Sequence, residues 1–117
     1  MNATRALRQQ AFLPSVAVRG DGTVAVTYYD FRNDDDRSEL ADHWIVHCHA
    51  TCASPASWQN ELRLTKRSFD ITQAPFARGL FLGDYVGLAA DAASFLPAFT
   101  QPHGNDPSSL FFRRVGP

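Results

Sequence analysis

Two runs of β-branched and aromatic residues flank a tight turn near the start of the chain. Pro14-Ser15-Val16-Ala17-Val18 precedes Arg19-Gly20-Asp21-Gly22, and Thr23-Val24-Ala25-Val26-Thr27-Tyr28-Tyr29-Asp30-Phe31 follows it. Gly accepts the positive φ that a short hairpin demands, so Asp21-Gly22 between alternating runs specifies an antiparallel hairpin. Val24, Val26 and Tyr28 fall on one face of the second strand, and Ala25, Thr27 and Tyr29 on the other. Both faces are apolar enough to touch neighbouring sheets. A chain that begins this way is constrained to layered β structure.

The rest of the sequence extends that pattern. Residues 32–42 form a charged loop, and 43–50 (HWIVHCHA) read as a third strand with Trp44, Val46 and Cys48 on one side. Residues 61–69 (ELRLTKRSF) alternate as a fourth strand, and 70–79 are a connector with Pro and Gly. The pattern then begins again. Residues 85–101 repeat strand, turn and strand, and Thr23 to Tyr28 aligns with Ser94 to Phe99. Residues 101–109 replace the charged loop, and 110–115 (LFFRRV) are a further strand. The helical period of 3.6 never persists for three turns. The expectation is an all-β chain of four-stranded antiparallel units, one over 11–72 and most of a second over 80–117. Tandem units of this kind are how β-propeller blades are built. A single blade has two apolar faces and cannot bury both alone.

Composition excludes several classes of function. Eleven Lys and Arg against twelve Asp and Glu leave no electrostatic case for nucleic acid or an anionic membrane surface. No apolar run approaches the ~20 residues needed for a membrane span. The opening MNATRALRQQ is polar, and no secretory signal is expected there. With 44% hydrophobic and 12% aromatic residues, the chain has the material for a folded β domain.

The segment from Phe12 to Asp34 resembles the inner hairpin of blades in bacterial sialidase-like (BNR, Asp-box repeat) propellers. There a strand, a DG turn and a strand ending in aromatic-x-Asp-x-Arg recur, and here that ending is Tyr28-Tyr29-Asp30-Phe31-Arg32. Residues 81–90 (FLGDYVGLAA) resemble a motif near the C-terminal end of such proteins, before a closing F-x-R-R strand, here Phe111 to Arg114. The likeness spans residues 11 to 115. The Asp-box, Ser-x-Asp-x-Gly-x-Thr-Trp, is degenerate: Thr51 to Trp58 keeps the first hydroxyl residue, the last one and the Trp, but lacks the Asp and the Gly. The resemblance implies a six-bladed propeller of which this chain is a C-terminal part of about two blades. It implies exo-sialidase-type glycoside hydrolysis for the parent, with a glycan as ligand and no cofactor. It also implies a secreted or cell-surface parent. Such enzymes combine an arginine triad, an Asp acid/base and a Tyr nucleophile activated by Glu. The motifs carry none of these over, and neither Glu39 nor Glu61 is expected beside a central Tyr. The isolated chain is expected to be inactive and to need further blades or self-association to cover its faces. The alternative is a non-catalytic propeller used for binding or as a scaffold, since fold does not dictate function.

Candidate residues follow from chemistry and position. Asp84 and Tyr85 stand where an inner strand would begin and can meet a sugar or an ion; the plainer alternative is a turn acceptor and a packed ring. Asp30 and Arg32 share a face and either pair with each other or leave Arg32 to grip a carboxylate. Arg78 is a further possible anion contact. His43, His47 and His49 share a face in a strand, with Cys48 opposite, but no second ligand pair supports a zinc site. Asp34-Asp35-Asp36 lacks the spacing of a calcium loop. Cys48 and Cys52 either bridge a turn or remain buried thiols. The expected metal count is none.

Overall fold

The computed structural model describes residues 10–34, 39–84 and 86–116. Among them there is no α-helix. Strand dominates, in two antiparallel sheets, with two 3-10 turns at Pro55–Ser57 and Ile71–Gln73. The first sheet runs in the order β1 (Ala11–Val18), β2 (Val24–Asp30), β3 (Leu40–Cys48) and β4 (Trp58–Arg63). A two-residue β5 (Phe69–Asp70) pairs with the start of β3. The second sheet is a three-stranded meander of β6 (Gly87–Ala90), β7 (Phe95–His103) and β8 (Asp106–Phe112).

The DG hairpin forms as its residues dictate. Gly22 adopts φ +86, the Thr23 amide donates to Asp21 Oδ1 at 3.0 Å, and Val18 faces Val24 across the ladder. The β6–β7 turn uses the same device, with Asp91 Oδ1 accepting from the Ala93 and Ser94 amides. A short carboxylate that caps the next amides stabilises such turns. Arg19 joins the two hairpins, donating to the Ala93 carbonyl at 3.0 Å.

The core lies between the sheets. Ala25, Tyr29 and Ile45 of the first sheet meet Phe95 and Phe99 of β7, all buried. Tyr29 and Thr100 tie the layers: the phenol donates to the Thr100 carbonyl at 2.7 Å and accepts from the Thr100 amide at 3.2 Å. These residues are 71 apart, which is the offset that aligns Thr23–Tyr28 with Ser94–Phe99. Under that alignment Val24, Val26 and Tyr28 correspond to Phe95, Pro97 and Phe99. The β7 trio is buried against the first sheet. Its β2 counterparts face away from the second sheet, beside Val16 and Val18, which are 63% and 59% exposed. The far side of the second sheet likewise carries Leu110 and Phe112, 74% and 61% exposed. Each sheet therefore has one covered and one open apolar face.

Several boundaries differ from the sequence expectation. The third strand starts at Leu40 rather than 43, because Asp42 sits inside it as a buried acceptor. Asp42 takes hydrogen bonds from Asn33 Nδ2, Thr65 Oγ1 and Ser68 Oγ at 2.5–2.7 Å. The same carboxylate divides the expected strand 61–69. Thr65 and Ser68 turn towards it, the ladder lapses over 65–68 after the Leu64 amide's bond to the His43 carbonyl, and pairing resumes at β5. The expected loop at 101–109 is instead a hairpin: β7 runs to His103 and turns at Gly104, whose φ is +57. The run over 85–101 is strand, turn and strand, as expected. A closed propeller ring is not seen; two antiparallel sheets are.

Candidate functional site

The most polar cluster on the open face of the first sheet forms where β2 ends. Tyr28 and Trp44 are direct cross-strand partners, and Asp30 faces Asp42. Arg32 lies just beyond the strand and folds back over this face. Its Nε donates to Asp30 Oδ2 at 2.7 Å, and Nη1 and Nη2 donate to Glu61 Oε2 and Oε1 at 2.8 and 2.9 Å. Its guanidinium carbon lies 3.8 Å from the Trp44 ring centroid, a cation–π stack. Nη2 also donates to the Tyr28 phenol at 3.2 Å, and that phenol in turn donates to Glu61 Oε1.

Glu61 reaches this face because of a bulge. Ile45 pairs with Leu62 and His47 with Gln59, so Asn60 and Glu61 together oppose one residue. Asn60 takes φ +55 to accommodate it. A bulge re-aims side chains, and this one turns Glu61 towards Tyr28. The contact of Glu61 with Tyr28 was not foreseen from the sequence. Periodicity could not find the contact, since it arises from a two-against-one register. The one local signal is Asn60, a residue type that tolerates the left-handed region.

Asp30 and Arg32 pair as one of the two readings had it, and the Arg32 fork also grips a carboxylate, though the protein's own. A phenol donating to a carboxylate is the arrangement that activates a Tyr as nucleophile. In this case Tyr28 is only 3% exposed, and both oxygens of Glu61 are held by Arg32. Asp30 is fully buried. The cluster faces protein more than solvent.

The other candidates are dispersed. Asp84 is exposed in a bend after Gly83 (φ +115) and makes no hydrogen bond among the described residues, so the turn-acceptor role is not seen. Tyr85 lies outside the described residues, as do Asp35 and Asp36. Arg78 is exposed in the connector, at φ +61. Cys48 and Cys52 are joined in a disulfide, and Trp58 donates its indole N–H to the Cys52 carbonyl at 3.1 Å. The degenerate Asp-box is thereby folded into a turn by a bridge and an indole instead of an acid.

The histidines separate. His43 is stacked between Tyr29 (4.1 Å between ring centroids) and Phe99 (4.8 Å), and His47 lies against Phe95 (5.1 Å). Burial pushes His43 down to about 3. His47 is lowered too, by burial first and then by His49 and Arg19. His49 is exposed and shares a hydrogen bond with Thr23 Oγ1. Among the described residues no group of three or more His, Cys, Asp or Glu side chains is set to hold a metal ion. Nor is any described helix long and apolar enough to cross a membrane.

Comparison of the chain with protein-family models, with curated proteins and with solved structures finds no match.

Proposed function

We propose that this chain supplies two neighbouring blades of a sialidase-like β-propeller, and that exo-sialidase-type hydrolysis of a glycan belongs to the propeller when other blades surround these two. The carrying observation is the equivalence of faces. Val24, Val26 and Tyr28 occupy the same rank and orientation in the first sheet as Phe95, Pro97 and Phe99 in the second. The β7 residues are covered by a sheet; on β2, Val24 and Val26 are half-buried and open to the same kind of cover, while Tyr28 already lies under Arg32 and Glu61. By itself the chain is inactive. A fluorogenic sialoside assay on the natural translation product that contains this chain tests the reading, with Asp84→Asn and Tyr85→Phe as variants. Turnover that these variants diminish supports it; no turnover from a well-folded product overturns the hydrolase part.

The second reading is a non-catalytic propeller module for binding or scaffolding. A specific observation favours it: Arg32, the best placed fork for a substrate carboxylate, is occupied by Asp30 and Glu61. In that case the Tyr28–Glu61–Arg32 cluster holds the strand end and the β4 bulge together. The same assay separates the two readings.

A further inference from the structure

A groove of about 520 Å³ opens where the break in the first sheet's outer edge meets the β7–β8 hairpin. It shares no residue with the Arg32 cluster. The segment that leaves the ladder around Asp42 carries Lys66 and Arg67 into its wall, and Arg113 enters from the end of β8. Arg113 is anchored by its Nε, which donates to the Leu64 carbonyl at 3.1 Å. Lys66, Arg67 and Arg113 have no ion-pair partner among the described residues. The one carboxylate in the lining, Asp70, is turned to the Thr72 amide and hydroxyl. Three cations against one anion leave an excess of two positive charges. The half-buried Phe111 lines the floor, stacked at 5.9 Å between centroids on Phe99, which is itself buried beneath it. Gln101 also lines the groove, and its carbonyl oxygen accepts no hydrogen bond.

We infer that this groove binds a small molecule carrying a phosphate monoester on a ring. A phosphate monoester bears roughly −1.5 to −2 charges at neutral pH, which matches the excess. Its three terminal oxygens suit three separate cationic donors better than a planar, singly charged carboxylate does. The accessible part of Phe111 gives a ring, from a sugar or a phenol, an apolar contact, and the unsatisfied Gln101 carbonyl oxygen has a use for a donor on the ligand. Lys66 and Arg67 are exposed and make no side-chain hydrogen bond among the described residues, so both can be changed without loosening the fold.

Titration calorimetry of the full chain with phenyl phosphate, glucose 6-phosphate and inorganic phosphate tests the site, with phenol and glucose as uncharged controls. One or both ring phosphates bind, inorganic phosphate binds more weakly, and the uncharged rings do not bind. Which of the two binds tells whether the ring is aryl or sugar. The Lys66→Gln/Arg67→Gln double variant, checked for an unchanged melting temperature, weakens binding by about tenfold or more, as does raised salt. The inference is overturned if neither ring phosphate binds at millimolar concentration. It is overturned equally if the double variant binds as tightly as the parent, or if inorganic phosphate alone matches both ring compounds.

Discussion

His43 makes stability depend on pH in a window where few other groups titrate. Its ring is fully buried between Tyr29 and Phe99, and neither nitrogen has a hydrogen-bond partner. Burial holds it neutral, pushing its pKa down to about 3 from the ordinary 6.5. The unfolded chain therefore takes up a proton near pH 6.5 that the folded chain refuses until far lower. Stability is complete above pH 6.5 and is lost as pH falls from there towards 3. Summed from pH 7 to pH 5, the difference between the two proton-binding curves costs about 2 kcal/mol of stability. His47, lowered by the same cause, adds in the same direction. The carboxylates that the fold holds low, Asp21, Asp70, Asp91 and Asp106, release their contribution below this window. Urea unfolding at the two pH values measures the difference. His43→Phe keeps a ring between Tyr29 and Phe99 and removes the titrating group, so its loss over the same interval shrinks by about 2 kcal/mol. An equal loss in parent and variant refutes the reasoning.

Three further outcomes are expected. Tyr29→Phe strips the Thr100 carbonyl and amide of their partner at the junction of the sheets, and denaturant unfolding shows a loss of about 1–3 kcal/mol. Arg32→Ala leaves the fully buried Asp30 and its neighbour Glu61 without their shared cation; it costs about 3 kcal/mol by the same measurement, more than removal of an exposed ion pair such as Arg114–Asp91. The open faces make the chain self-associate, and sedimentation velocity across a concentration series detects it; Val18→Lys with Phe112→Lys shifts the population to monomer. A parent chain that stays monomeric throughout contradicts the account of those faces.

Pattern alone determined a good deal of this protein. The alternation around Asp21-Gly22 carries the first hairpin and assigns Val24, Val26 and Tyr28 to one face, because side-chain direction in a strand is a period of two. The repeat in 85–101 located β6 and β7 for the same reason. The Asp30–Arg32 pairing was legible too, since residues two apart align. Only the tertiary structure decided where the ladder breaks. Asp42 draws Thr65 and Ser68 out of register because a buried carboxylate must be hydrogen-bonded, and that need outranks the alternation of residues 61–69. The bulge that delivers Glu61 to Tyr28 was equally hidden, as was the burial of His43 and His47. These follow from what lies across from each residue in space: a second strand out of step by one position, or a second sheet whose phenyl rings close over an imidazole and keep water away from it.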